Sequence, residues 1–306
     1  MPVSYFHVVF TVPSEVAEIA FNNKAVVYAI LFDAVAPTPK TIAADPRHLG
    51  GEIGFLAILH TWGQALTHHP RIHCLVPGGA LSSDGRWLGC RPNFFLPVHV
   101  LSRLFRRLFL ERLQAAHAAG RLRFSGKLDG FDDADVFTAA IGKLRRKNWI
   151  VYAKPPFGSP EHVLAYLGRY THRVAISNSR LVSADETIVT FRWRDYRHGN
   201  APRLMSLHPH EFIRRFLIHS LSDGFHRIRH YGFLANGCRR ARLATIRQLL
   251  IRAETIAAVA AEIGDTTKRL PHFDPSQCPC CGGILRVTAT LPRWRAGQPR
   301  PWSDTS

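Results

Sequence analysis

With 306 residues, 46% of them hydrophobic, the chain is long enough to bury a substantial core and too apolar for a disordered protein. Its 40 Lys and Arg against 22 Asp and Glu give a net charge of +18, which favours a polyanionic partner, above all nucleic acid. Membrane association is not expected, because apolar runs such as 25–31 stop far short of the roughly 20 residues of a span and residues 1–5 do not resemble a signal peptide.

The hydrophobic periodicity predicts a strand over 5–11, followed by a long helical segment with Ser14 as N-cap and a break near Asn22-Asn23. Short apolar runs predict neighbouring strands at 53–60 and 72–76. A helix from Pro97 to near Gly120 and a strand over 149–154 complete this part. Strand, helix, strand, strand, helix, strand is the split β-α-β order, so the predicted fold class is α+β, with an antiparallel sheet and helices on one face.

The second half of the chain predicts additional strands and basic helices. Ser159-Pro160-Glu161 opens a helix, strands are expected at 174–176, 187–193 and 203–207, and His208-Pro209 opens another helix. A C-terminal helical region follows over 239–261. We therefore divide the chain into a catalytic core with its tyrosine helix (1–180), a DNA-binding extension (181–265) and a Pro- and Gly-rich tail with a cysteine cluster (266–306).

Two tyrosines, Tyr166 and Tyr170, are four residues apart, so on a helix they lie one turn apart on one face and can reach one site. In an arbitrary sequence, packing of the helix against a sheet is the commoner role of such a pair. The flanking cations favour a functional role, because a phosphate backbone needs cations beside the nucleophiles. They are Arg169, His172 and Arg173.

A histidine-rich motif, His68–Cys74, runs into the third predicted strand and is followed by Pro77-Gly78-Gly79. Alternation along a strand places Arg71 and His73 on one face and Ile72 in the core. Imidazole is a common metal ligand, but in a chain with 17 histidines many are structural. His73 is thus a candidate ligand that needs support from a second motif.

The two motifs, in this order, resemble the HUH endonuclease superfamily. Their flanks narrow the resemblance to the two-tyrosine transposases of the IS-ninety-one type, over about residues 5–250. The segments that carry it are Leu59–Gln64, Val76–Gly79, Tyr166–Asn178, Phe212–Phe216 and Gly224–Gly232.

This resemblance implies an HUH-like core in which histidines on a central strand hold a divalent metal, Mg or Mn, beside the tyrosine helix. It implies that Tyr166 and Tyr170 cleave and rejoin single-stranded DNA at transposon ends and target, through a covalent 5′-phosphotyrosine intermediate. His73 is then a metal ligand. The enzyme is expected in the cytoplasm, associated with the nucleoid, with DNA contacts from Arg71, Arg169, His172 and Arg173.

One position departs from the superfamily pattern: Arg71 stands where the first motif histidine is expected. Arginine stays protonated and has no lone pair for a metal. Either His69 substitutes as the ligand beside His73, or metal binding is weakened and activity with it.

A cysteine cluster, Cys278-Pro279-Cys280-Cys281, resembles half of a zinc knuckle, with Cys278 and Cys281 at ligand spacing. Structural zinc takes four ligands, so His272 or Cys238 would have to complete a site, or these thiols are unpaired. Disulfides are not expected without an export signal. Family members carry a Cys/His-rich segment ahead of the first strand, and this chain begins almost at that strand, which indicates an N-terminally truncated product.

The main alternative to a transposase of full activity is a catalytically impaired, DNA-binding remnant, favoured by Arg71 and by the abrupt start. A carboxylate-metal nuclease has no support in the spacing of acidic residues. Three aromatic side chains could stack on unpaired bases, although burial is the commoner fate of such residues: Trp87, Trp193 and Tyr196. The sequence leaves open the DNA site, the order in which the tyrosines act and the oligomeric state.

Overall fold

The computed structural model describes residues 1–154, 157, 163, 168, 175–195, 199–221, 223–268 and 284. Residues 1–251 form one unit and residues 252–306 a second, and the candidate functional site lies in the first. In chain order, the strands and α-helices are β1 (Tyr5–Thr11), α1 (Ser14–Asn22), α2 (Lys24–Val35), α3 (Pro37–Ala44), β2 (Gly54–Trp62), β3 (His68–Pro77), β4 (Gly79–Leu81), β5 (Trp87–Gly89), α4 (Val98–Ala118), α5 (Ala134–Arg146), β6 (Val151–Lys154), β7 (Leu181–Ala184), β8 (Val189–Asp195), β9 (Ala201–Leu207), α6 (Pro209–Leu217), β10 (Ile228–Gly232) and α7 (Arg239–Lys268).

The central sheet has five strands in the order β10-β2-β3-β1-β6, and each neighbouring pair is antiparallel. β3 therefore lies between β1 and β2, which run parallel to each other, as in the predicted split β-α-β arrangement. This confirms an antiparallel sheet combined with helices. The outer strand β10 comes from the segment that we assigned to the DNA-binding extension (181–265). The division of the chain between residues 180 and 181 stays a prediction.

The helices of the first half pack on one face of this sheet. Alternate strand residues such as Phe10, Ile72 and Leu59 share one buried cluster with apolar residues of α1 to α5, among them Leu31 and Phe105. The intervening strand residues project to the opposite face because side chains alternate along a strand. The main core thus occupies one side of the sheet, and the other side carries polar residues together with the buried apolar residues Val9, Ile58 and Leu75.

The helices predicted from Pro97 and from His208-Pro209 begin at Val98 and Pro209, whereas the C-terminal helix extends to Lys268 instead of 261 and α5 was not predicted. The helix predicted from Ser159 lies outside the described residues. The break near Asn22-Asn23 is confirmed, because Asn23 separates α1 from α2 and its side chain bonds to Ile19 O at 3.0 Å and to Arg123 O at 2.7 Å. Ser14 is not the N-cap: α1 begins at Ser14 itself, Pro13 occupies the capping position, and the Ser14 hydroxyl donates to Glu15 Oε2.

One helical stretch, Lys24–Ala44, is long and apolar enough to cross a membrane by length and composition. It is longer than the run 25–31 that the sequence suggested, because it joins α2 and α3 across Ala36. In the fold, 56% of its most apolar window is buried, and residues such as Leu31 and Val35 belong to the main core.

A second, three-stranded antiparallel sheet is formed by β7, β8 and β9. Its Phe191 is fully buried and packs with Leu66, from the β2–β3 turn, and with Phe212 of α6. The predicted strands at 187–193 and 203–207 are therefore confirmed as β8 and β9. The predicted strand at 174–176 is wrong for Ala175 and Ile176, which are outside any strand, and the φ of 46° at Ala175 is incompatible with extended backbone.

Candidate functional site

Three histidines from neighbouring strands lie on the sheet face opposite the helices: His7 on β1, His60 on β2 and His73 on β3. The strand register shows that they share this face. His73 is directly opposite Val9 on β1 and Ile58 on β2, and directly opposed residues project to the same side. His7 and His60 are two residues from Val9 and Ile58, so they project to that side as well. All three are buried, with exposed fractions of 5% to 7%. The prediction that Ile72 faces the core and His73 the other side is confirmed.

Arg71 lies among these imidazoles. Its Nε is 3.2 Å from Nε2 of His73 and 3.3 Å from Nδ1 of His60, the residue directly opposite it on β2. Its Nη2 is 3.1 Å from the same His60 nitrogen and donates to Trp62 O at 2.9 Å. The guanidinium is therefore anchored to both strands.

These contacts define the direction of the hydrogen bonds, because arginine can only donate. His60 Nδ1 and His73 Nε2 must accept, which leaves the proton of a neutral His73 on Nδ1. That nitrogen is 2.9 Å from His7 Nε2, which accepts in turn. A directed chain thus runs from Arg71 through His73 to His7, with each imidazole neutral.

The electrostatics of the cluster agree with neutral rings. Burial, assisted by the positive charges of Lys154 and Arg71, lowers the pKa of His7 to about 4. Burial, with Arg71 and Arg227 nearby, lowers the pKa of His60 to about 2. The pKa of His73 is also lowered well below its ordinary value, chiefly by burial. At neutral pH, Arg71 is the cation of this cluster.

A divalent metal ion does not fit this arrangement. It would need the imidazole lone pairs at about 2.0–2.1 Å, and the two that point to the centre of the cluster accept hydrogen bonds from Arg71. Within the described part of the chain, no group of three or more His, Cys, Asp or Glu side chains could hold a metal ion. The residues present therefore do not form a metal site as they are arranged.

His69 and His73, the predicted ligand pair, stay a prediction. They are four positions apart on β3, about 13 Å at the strand rise. The partners that the fold brings to His73 are His7 and His60 instead. Sequence reasoning missed both, although strand alternation places His7 on the same face of β1 as Val9, and His60 on the same face of β2 as Ile58, away from the main core.

A cleft of about 1440 Å³ opens beside Arg71, between the ends of β2 and β3 and the second sheet. Six cationic side chains and two carboxylates, Glu18 and Asp195, are among its described lining residues. The cationic residues are Arg71, Lys127, Arg180, Arg194, Arg214 and Arg215. Trp62 and Trp193 also line it and are half-buried. Trp87, by contrast, packs against Phe233 at the far edge of the sheet.

Several predicted site residues lie outside the described residues. They are Tyr166, Arg169, Tyr170, His172, Arg173, Tyr196, His272, Cys278 and Cys281. Cys238, a possible partner for the cysteine cluster, is described: its thiol contacts Gly232 O at 3.6 Å.

Comparison with known proteins gives the family. Residues 54–242, more than half of the chain and the whole of β2, β3 and the cleft's second sheet, match the family model Y2_Tnp, described as "Putative transposase". The chain belongs to this family. It is therefore an insertion-sequence type of transposase, acting in DNA recombination.

Two relatives agree with the family assignment. The "Putative transposase y4qJ" of Sinorhizobium fredii (strain NBRC 101917 / NGR234) is 53% identical over 306 residues, covering 99% of this chain and 77% of the relative. The transposase for insertion sequence element IS801 of Pseudomonas savastanoi pv. phaseolicola is 25% identical over 286 residues, covering 93% of this chain and 67% of that protein. A solved structure of the conjugative relaxase TrwC with OriT DNA matches at 14% identity, covering 79% of this chain and 71% of its own, and its TM-score of 0.29 is too low to support a conclusion about this chain.

The transposase is expected to lose stability as the pH falls from 6.5 towards 5. Besides His7 and His60, burial lowers the pKa values of His68 and His219 to about 4, from the ordinary 6.5. In this window the unfolded chain binds protons that the folded chain excludes, so each such histidine lowers the free energy of unfolding by up to about 1.4 kcal/mol per pH unit.

Urea unfolding at pH 7, 6 and 5 measures this slope. The matched variant is His219→Gln, because His219 donates from Nε2 to Leu66 O and accepts from the Thr61 hydroxyl, contacts that an amide can replace. In this variant the free energy of unfolding should change less steeply with pH, by about the contribution of one histidine. A free energy of unfolding that is constant across this range would contradict the neutral, buried state of these rings.

Proposed function

We propose that this transposase cleaves and rejoins single-stranded DNA by attack of the Tyr166 and Tyr170 hydroxyls on a phosphodiester. The strand would lie in the basic cleft, with its scissile phosphate next to Arg71. The observation that carries the proposal is the position of Arg71. It is a half-buried cation held by His60 and His73 at the wall of a cleft that is large enough for a DNA strand.

The charge of the cleft supports a nucleic-acid ligand. A polyanion gains from several arginines along its path and releases counterions when it binds. Two of the arginines, Arg214 and Arg215, form ion pairs with Glu211 at 2.6 Å each. These ion pairs orient both guanidinium groups and partly neutralise their charge. The single Glu211 carboxylate offsets one of these two charges, so most of the net positive charge of the set comes from its other members.

The aromatic residues that line the cleft favour single-stranded DNA over duplex DNA as the ligand. Trp62 and Trp193 line the same cleft as the arginines. Stacking of an exposed base on an aromatic ring contributes about 1–3 kcal/mol per base and requires a base that is not in a duplex. A groove that combines cations with such rings is typical of single-strand binding.

The proposed reaction is a phosphoryl transfer. The tyrosine oxygen forms a bond to phosphorus as the bond from phosphorus to the 3′ oxygen breaks. The phenol loses its proton, and the leaving 3′ oxygen takes one up. The DNA 5′ end is then esterified to tyrosine, and a 3′ hydroxyl is released. A phenol with a pKa near 10 is a weak nucleophile at neutral pH, and a fixed guanidinium stabilises the negative charge that develops on the phosphoryl oxygens.

A second tyrosine allows one protein to hold one cut end while it makes another cut. Rejoining is the reverse reaction, in which a 3′ hydroxyl attacks the phosphotyrosine and releases the phenol. The ester bond conserves the energy of the cleaved phosphodiester, so no external energy source is needed. This agrees with a role in moving a single strand of an insertion sequence.

The test is the formation of a covalent protein–DNA adduct. Single-stranded oligonucleotides tiled across the DNA that flanks the gene are incubated with the protein and separated under denaturing conditions. We expect a stable adduct with oligonucleotides labelled at the 3′ end, because the tyrosine keeps the downstream fragment, and no adduct with the same oligonucleotides labelled at the 5′ end.

Duplexes of the same sequences are the control and should give little or no adduct. Binding of the tiles in a gel-shift assay, with no 3′-labelled adduct from any of them, would contradict the proposal and leave a DNA-binding remnant. An adduct that carries the 5′ label would contradict the direction of attack.

A further inference from the structure

The neighbourhood of position 71 has the composition of a metal site but contains a cation of its own. Position 71 is directly opposite His60, two residues from His73 on the same face, and one strand away from His7. Three neutral imidazoles on adjacent strands are a usual ligand set for a divalent ion. The residue at the centre of this set decides what it can bind.

Arg71 uses the nitrogens that a metal would use. Its N–H groups point at His60 Nδ1 and His73 Nε2, at 3.1 to 3.3 Å. An ion bound to these atoms would displace both hydrogen bonds and would lie against a guanidinium that does not lose its charge. The contact to Trp62 O holds the guanidinium in this position from a third side.

We propose that Arg71 is the resident cation of this site, in place of a divalent metal, and that the chain binds a DNA phosphodiester there without a metal ion. The first half of this inference is independent of the proposed function, and only the second half rests on it. The directed chain from Arg71 through His73 to His7 then has a positioning role: it fixes the guanidinium beside the cleft. A single fixed charge replaces a doubly charged ion that exchanges with solvent.

Electron paramagnetic resonance of Mn²⁺ tests the first half on the intact, untagged chain. Mn²⁺ prefers oxygen ligands, accepts imidazole nitrogen and binds thiolates weakly, so the cysteine cluster does not interfere. We expect no stoichiometric binding by the wild-type protein. Arg71→His, which replaces the guanidinium with a fourth imidazole on the same face, should bind one equivalent at least about tenfold more tightly than the wild type.

Two further variants serve as controls. One tests whether loss of the Arg71 charge alone creates a metal site, and the other tests whether His73 is a ligand of the new site. Arg71→Gln removes the charge without supplying an imidazole and should bind Mn²⁺ more weakly than Arg71→His. Adding His73→Ala to Arg71→His should abolish the new site. Near-UV circular dichroism verifies that each variant is folded, and the wild-type titration needs no variant at all.

The inference is overturned if the wild-type chain binds one equivalent of Mn²⁺ and loses it in His73→Ala. It is equally overturned if folded Arg71→His binds no better than the wild type, because Arg71 would then not be what excludes the ion.

The second half is tested by the adduct assay in the presence of EDTA. Adduct formation by the wild type should be unchanged by the chelator, and adduct formation that requires added Mn²⁺ would overturn the metal-free role. If no adduct forms under any condition while the Mn²⁺ titrations come out as expected, the proposed function fails and the assignment of Arg71 as resident cation holds.

Discussion

Replacing both Tyr166 and Tyr170 with phenylalanine is expected to reduce the yield of the 3′-labelled DNA adduct by about a thousandfold or more. Phenylalanine keeps the ring and its packing but has no oxygen to attack phosphorus. In the single variants one nucleophile is left, so each should still form an adduct. The adduct yield per folded protein, from quantified denaturing gels, measures this effect.

Tyr152 provides the matched control for these variants. It lies on β6, is 51% exposed and pairs with Val9, which places it on the same sheet face as His73, about 10 Å away across two strands. Tyr152→Phe should leave adduct formation unchanged. If Tyr152→Phe removes the adduct and the double variant retains it, the nucleophile has been assigned to the wrong residue.

Binding measurements separate chemistry from affinity in the same proteins. The double tyrosine variant should still bind single-stranded DNA, because the cationic residues of the cleft are unchanged. A parallel loss of binding and adduct would indicate that the tyrosines pack the protein or contact the DNA rather than react with it.

Gly232→Ala is expected to lower the free energy of unfolding by about 3 kcal/mol or more. Gly232 ends β10 with a φ of 59°, and a Cβ atom there would lie 1.7 Å from the carbonyl oxygen of Ile53, the residue just before β2. Backbone must shift to relieve such a contact. β10 and the fully buried Phe233 that follows it would then separate from the edge of the central sheet.

Gly142→Ala is the matched control for this substitution. Gly142 lies within α5, and a Cβ added there would have no atom of the described residues within 4 Å outside its own helical turn. Alanine should therefore stabilise the protein by about 0.5–1 kcal/mol through its higher helix propensity. Urea denaturation of the two variants and the wild type at pH 7 measures both effects. Equal stability of Gly232→Ala and the wild type would show that β10 tolerates a side chain at its end.

The main elements of the fold could be predicted from local patterns. β1 alternates apolar and polar residues, α4 shows helical periodicity and ends where Gly120 was expected to end it, and β8 and β9 follow their apolar runs. β10 was not predicted, because its five residues are all only half-buried and three of them are polar or glycine. Its place in the central sheet comes from pairing with β2, which is about 170 residues away in the chain.

In the candidate site, too, some features follow from local sequence patterns and others from contacts between distant strands. Strand alternation by itself determined that Arg71 and His73 share a face and that Ile72 is in the core, because a period of two is a local property of extended backbone. The motifs and the net charge of +18 likewise indicated a transposase that binds nucleic acid. Only the tertiary structure decided that His7 and His60 complete the histidine cluster and that Arg71 occupies its centre. Those contacts depend on the register between strands that are distant in sequence, and a hydrogen bond over 66 residues, such as His7 to His73, has no local signal.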